Sequence, residues 1–143
     1  MASPRAGISV ETLNATSWGP MVQRLEGSSA NLVLIQEHHM DEGKLAKISE
    51  QLLKKGWSTW FAPAIGTIGK GKKRGTSGGV GFAWRPSIDI CRKPEDLVPG
   101  RLVATAMRTK AFGIIFVYSI YGVVGDIERT AAIWEVAFRH TQA

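Results

Sequence analysis

A carboxylate and two imidazoles, Glu37, His38 and His39, follow directly on the uncharged run Leu32 to Gln36. A glutamate at the end of a strand is a hard oxygen donor. Asn14, a neutral oxygen donor, closes another alternating run. In an open α/β sheet, ligands gather outside the carboxyl ends of the strands. If the two strands are neighbours, Asn14 and Glu37 meet in one crevice and suit Mg²⁺, with Mn²⁺ as its substitute. Mg²⁺ commonly takes one or two carboxylates and fills its shell with water and phosphate. The plainer alternative for Glu37 is a solvated strand end or a helix-capping carboxylate. Zinc fits poorly, because neighbours on an extended chain point to opposite faces. No HExxH pattern is present and Cys91 is the only cysteine. One of the histidines could still reach a bound phosphate.

A second group is basic. Residues 66 to 79, "GTIGKGKKRGTSGG", are Gly-rich with no apolar period and read as a mobile loop. Gly66, Gly71 and Lys72 have the spacing of a phosphate-binding P-loop, but Lys73 stands where Ser or Thr is required and no helix pattern follows. Lys70, Lys72, Lys73 and Arg74 suit a nucleic-acid backbone instead, or simply keep a surface loop soluble. The chain as a whole carries a net charge of +6, which favours polyanionic partners.

The elements that must hold these residues alternate in type. Residues 7 to 14 alternate, with Ile8, Val10, Thr12 and Asn14 on one side, and read as a strand. A short helix is expected from Val22 to Leu25, ending near Gly27. Leu32 to Ile35 reads as a strand buried on both faces. Residues 43 to 55 form an amphipathic helix with a stripe of Leu45, Ile48, Leu52 and Leu53. Asp41 and Glu42 favour its start, Lys54 and Lys55 its end, and Gly56 its termination. Strands follow in "WSTWFA", "VGFAWRP", "SIDICR", "LVATAMR" and "FGIIFVYSIYG". A final helix from Asp126 to His140 is expected to turn Ala131, Phe138 and either Ile133 or Trp134 inward. Trp57, Trp60, Phe61, Trp84 and Trp134 are expected in the core. The order predicts an α/β fold with a mixed, largely antiparallel sheet.

The 143 residues suit one domain, and 44% hydrophobic with 21% charged residues is ordinary for a globular chain, which argues against disorder. No apolar run approaches a membrane span of about 18 residues. A lone cysteine excludes an internal disulfide, so an intracellular compartment, nuclear or cytoplasmic, is expected.

Taken in order, these pieces resemble the N-terminal half of the endonuclease/exonuclease/phosphatase superfamily. That group includes DNase I-like enzymes, apurinic-site endonucleases and the endonucleases of non-LTR retrotransposons. "ISVETLNATSW" is similar to the first strand with its metal-site asparagine, here Asn14. "NLVLIQEHH" is similar to the D-I-V-x-L-Q-E strand whose glutamate binds Mg²⁺, here Glu37. "SGGVGFAWRP" is similar to G-G-V-A-x-L. "RLVATAMR" and "FGIIFVYSIYG" resemble the paired strands leading to the Y-x-P tyrosine, here Tyr121, with Tyr118 as the other candidate. "ERTAAIWEVAFRH" fits the helix that follows. The resemblance covers nearly the whole chain.

It implies half of a four-layer α/β sandwich, Mg²⁺ at Asn14 and Glu37, phosphate positioned by Tyr121, and a nucleic-acid substrate, DNA before RNA. The departures are specific. Leu13 precedes Asn14 where tryptophan is frequent, and Gly122-Val123 replaces the proline after Tyr121. The family's G-D-x-N motif would follow the final helix. Gly125-Asp126 precedes that helix instead and has Glu128 in the asparagine position. The terminal aspartate–histidine pair has no counterpart. The expectation is a single partial domain over residues 1–143, inactive or nearly so alone, with an uncovered sheet face that favours self-association. Two other activities are compatible: a non-catalytic nucleic-acid-binding module, and a phosphatase for phosphoinositides or other small phosphoesters.

Overall fold

The computed structural model describes residues 7–15, 18–68, 74–122 and 125–142. The fold is α/β, with helices packed on two larger sheets. The first sheet has strand order β1-β2-β6-β3, formed by β1 (Val10–Asn14), β2 (Leu32–Gln36), β6 (Val80–Trp84) and β3 (Ser58–Ala62). β1 and β2 are parallel, with Asn14 opposite Gln36. β6 runs antiparallel to both β2 and β3, so the sheet is mixed. The second sheet is an antiparallel meander of β7 (Asp89–Val98), β8 (Leu102–Thr109) and β9 (Gly113–Ile120).

β2 is buried on both faces, and that burial organises the molecule. Val33 and Ile35 join Leu13, Met21, Leu25, Leu45, Ile48, Leu52 and Trp57 in a cluster between the first sheet and its helices. Leu32 faces the other way, into a cluster with Phe82, Val80, Val103 and Met107 that joins the two sheets. A third cluster, around Leu102, Ile133 and Ala137, seats α3 (Ile127–Thr141) on the outer face of the second sheet.

Helix α1 (Trp18–Gly27) is longer than the expected Val22 to Leu25. Pro20 does not stop it, because its missing N–H falls among the first four, which have no partner inside a helix. Helix α2 (Glu42–Lys54) begins where its acidic start predicted: the Asp41 carboxylate accepts from the Lys44 N–H at 3.0 Å. It ends in a Schellman motif, with the Trp57 N–H on the Leu52 carbonyl, the Gly56 N–H on that of Leu53, and Gly56 at φ 87°. The stripe is corrected at one position. Leu45, Ile48 and Leu52 are buried, whereas Leu53 is 64% exposed, one residue too far round the helix.

Three further expectations are corrected. Residues 66–79 are not a loop throughout, because β4 (Ile65–Ile68) and β5 (Arg74–Ser77) pair antiparallel. Backbone hydrogen bonds alone define such strands, so no apolar alternation announces them. β7 runs on to Val98 through Pro94, which an edge strand with register shifts tolerates. Helix α3 meets its expected phase at Ile133 alone. Ile133 and Ala137 face inward, while Ala131, Trp134 and Phe138 are exposed. Small Ala137 lets the helix sit close to the sheet, and the bulky rings are left outside.

Apolar surface is exposed beside the second sheet, at Phe112, Ile114 and Phe116 around edge strand β9 and at Ile127, Trp134 and Phe138 on α3. Trp57 is in the core, and Trp60, Phe61 and Trp84 are partly buried against it. Among the described residues no helix is long and apolar enough to cross a membrane.

Candidate functional site

The ends of β1, β2 and β9 meet where the two sheets touch. Ser119 on β9 is the staple. Its hydroxyl donates to the Ile35 carbonyl at 3.0 Å and accepts from the Gln36 side-chain amide at 3.0 Å. Both bonds are buried or half-buried, so they set the register between sheets where apolar packing alone would permit sliding. The residue after each of β2 and β9 then falls at one place. Glu37 follows β2, Tyr121 follows β9, and Asn14 ends β1.

These three side chains are brought together. The Glu37 carboxyl is held below the usual carboxylate range, first by its hydrogen bond with Asn14, with further bonds from Tyr121 and His39. Partial burial pulls the other way and does not win. Tyr121 is shifted up by burial and by the adjacent Glu37 carboxylate, against the pull of Arg101. Its phenol therefore stays protonated and donates to Glu37. The Tyr121 N–H is tied to the Arg101 carbonyl at 2.7 Å, and the Arg101 guanidinium lies 4.7 Å from the centre of the Tyr121 ring. That guanidinium also donates to the Gly122 carbonyl at 2.7 Å.

The backbone around Glu37 is unusual. Glu37 and His39 both take left-handed conformations, at φ 60° and 57°. Non-glycine residues accept this at a cost of about 1–2 kcal/mol each, and only where their surroundings enforce it. His38 does the enforcing. It is 1% exposed. Its Nδ1 accepts from the Met40 N–H at 3.0 Å, which assigns the proton to Nε2, and Nε2–H donates to the Ala62 carbonyl at 2.9 Å. The His38 and His39 N–H groups bond the carbonyls of Gly79 and Gly78 at 3.3 and 3.0 Å. The two histidines diverge: His38 enters the core, and His39 turns outward to Glu37 at 3.3 Å.

Burial lowers the His38 pKa to about 4 from its ordinary 6.5. The neutral ring is what the fold accommodates. Its contribution is complete above pH 6.5 and is lost as the pH falls through about 4. A shift of this size corresponds to about 3 kcal/mol. Urea unfolding at pH 7.5 and pH 4 is expected to show that loss, and His38→Gln should flatten the dependence in this window. An unchanged slope in the variant would exclude His38 as its source.

The other sequence candidates lie elsewhere. Tyr118 points to the opposite face of the second sheet. Its hydroxyl is 2.8 Å from His140 Nδ1, and His140 Nε2 is 3.2 Å from Glu95, a chain that pins the end of α3. Tyr118 therefore does not join Glu37. Arg74 opens strand β5. Lys70, Lys72 and Lys73 lie outside the described residues. Arg101 and Ser119 were missed by sequence reading, and His39 was weighed there for zinc or phosphate but not as a partner of Glu37. No local motif distinguishes them, since each acquires its place only through sheet-to-sheet packing or backbone reversal.

The donor chemistry fits a hard divalent cation in part. Glu37 is an anion at neutral pH, and an Asn14 amide that donates its N–H to Glu37 keeps its oxygen available. Among the described residues no group of three or more His, Cys, Asp and Glu side chains forms a metal cluster. No protein-family model matches the chain, and no curated protein matches it.

Proposed function

We propose that this chain carries the metal- and phosphate-binding residues of an endonuclease/exonuclease/phosphatase-like domain that acts on phosphodiesters of nucleic acid, DNA before RNA. One observation carries the reading. Asn14, Glu37 and Tyr121 are separated by up to about a hundred residues, were selected by motif resemblance, and share one hydrogen-bonded cluster at the strand ends. The clusters joining helices to sheet, sheet to sheet, and sheet to helix also support a layered α/β reading of this kind.

In this reading Glu37 and Asn14 hold Mg²⁺ by their oxygens. The ion, when bound, neutralises phosphodiester charge and the developing charge on the leaving oxygen. Tyr121 donates its hydroxyl proton to a non-bridging phosphate oxygen in place of Glu37. Arg101 biases the pocket toward anions and orients the phenol through its ring. Lys70, Lys72, Lys73 and Arg74 attract the backbone at longer range. The uncovered apolar surface near β9 and α3 suits self-association or a further layer.

The test is duplex-DNA binding and nicking of supercoiled plasmid, with and without Mg²⁺, by the chain and by Glu37→Gln, with folding followed by circular dichroism. The expected result is Mg²⁺-dependent binding that weakens about tenfold in the variant, with nicking near background. Nicking that needs both Mg²⁺ and Glu37 would show that these residues suffice for catalysis. A folded chain that binds neither Mg²⁺ nor DNA would overturn the reading. Competition by inositol phosphates but not by DNA would move the substrate to small phosphoesters.

A further inference from the structure

The left-handed pair at Glu37 and His39 is more elaborate than an Mg²⁺ site of carboxylate and amide requires. We propose that His39 is a third ligand beside Glu37 and Asn14, and that the site therefore prefers a first-row transition-metal ion, Co²⁺ or the weaker-binding Mn²⁺, to Mg²⁺. This inference rests on the metal-binding reading above and specifies its ion.

The geometry is direct. His39 Nε2 and Glu37 Oε1 are 3.3 Å apart. Two donors each about 2.1 Å from a shared ion stand about 3.0–3.4 Å apart, depending on whether the angle between them is octahedral or tetrahedral. The pair already has the separation of two ligands on one ion. Both side chains are partly shielded, at 33% and 24% exposure, so neither is a fully solvated surface group. The Asn14 amide meets the same carboxylate.

The backbone supplies an independent argument. A surface ion pair contributes between 0 and about 1 kcal/mol. Two left-handed non-glycine residues cost at least as much. The buried His38 ring and the backbone bonds to Gly78 and Gly79 hold this conformation, and such strain concentrates at ligand sites. Buried His38, pinned on both ring nitrogens, holds residues 37 and 39 in the convergent arrangement whether or not an ion is present. The site is thus organised before binding.

Chemistry then selects the ion. An all-oxygen set suits Mg²⁺, which dehydrates reluctantly and demands near-ideal octahedral geometry. An imidazole nitrogen favours later first-row metals, in the order Mn²⁺ below Co²⁺. One carboxylate, one imidazole and one amide oxygen make a mixed set with room for water or phosphate oxygens.

The experiment uses the full chain and Mn²⁺ itself. Free Mn²⁺ is followed by its electron paramagnetic resonance signal, with Mg²⁺ as competitor, and pulsed measurements report nitrogen coupled to bound Mn²⁺. Two variants keep the backbone acceptable at positive φ: His39→Asn and His39→Gly. The expected result is Mn²⁺ held about tenfold or more tighter than Mg²⁺, with a nitrogen coupling. Both variants should lose the coupling and about tenfold in Mn²⁺ affinity, while Mg²⁺ affinity changes little. Cation binding that depends on Glu37 but shows no nitrogen coupling and no change in the His39 variants would overturn this proposal and leave the metal-binding reading intact. No cation binding by a folded chain would overturn both.

Discussion

Gly79→Ala is expected to destabilise the protein by about 3 kcal/mol or more, a large part of the 5–15 kcal/mol that holds a typical domain together. Two costs combine. Gly79 sits at φ +93°, a conformation that L side chains rarely adopt. An added Cβ would also stand 2.4, 2.5 and 2.7 Å from three atoms of the His38 ring. The ring has nowhere to go, because Met40 and Ala62 hold its two nitrogens. The Gly79 N–H is committed as well, to the Gly100 carbonyl at 2.8 Å. Urea denaturation measures the loss. A double-variant cycle assigns its cause: in a His38→Ala background the clash disappears, and Gly79→Ala should cost at least about 1 kcal/mol less. Equal costs in both backgrounds would show that the close approach to His38 is not the source. The site shares in the consequence, since the same ring keeps Glu37 and His39 convergent.

Phe82→Ala should cost about 3–5 kcal/mol, the range for deleting a buried aromatic ring. Phe82 is 0% exposed at the centre of β6, opposite Leu34 on one neighbour and Trp60 on the other. Its ring belongs to the cluster that joins the two sheets, with Leu32, Val103 and Met107. Removing it leaves a cavity between layers, which the hydrogen-bonded strands on both sides cannot collapse to fill. The urea midpoint should fall with the slope unchanged. Glu37 and Asn14 belong to the first sheet and Tyr121 to the second, so looser inter-sheet packing should also weaken the site. Phe82→Leu restores most of the volume and should recover more than half of the loss. A variant with wild-type stability would mean that the sheets are held chiefly by something other than this cluster.

Elements whose signal is local are legible in the chain before it folds. β2 is legible because a strand buried on both faces must be apolar at consecutive positions. Helix α2 is legible because its period, its Asp41 cap and its Gly56 stop are short-range effects. Asn14, Glu37 and Tyr121 were legible as residues at or just past strand ends, and the α/β class followed from the alternation of elements.

Other features depend on contacts remote in sequence. The phase of α3 depends on how closely Ala137 approaches the second sheet, which left Trp134 and Phe138 outside against their hydrophobicity. The β4–β5 pair is defined by backbone pairing between Gly-rich segments that carry no apolar period. The choice of Tyr121 over Tyr118 at the site depends on strand pleat: residues three apart lie on opposite faces, and Ser119 fixes which face meets β2. The burial of His38 and the left-handed turn that brings His39 to Glu37 depend on Gly78 and Gly79, some forty residues away. Local sequence specified which side chains were available for chemistry. Packing of one sheet on the other specified which of them meet.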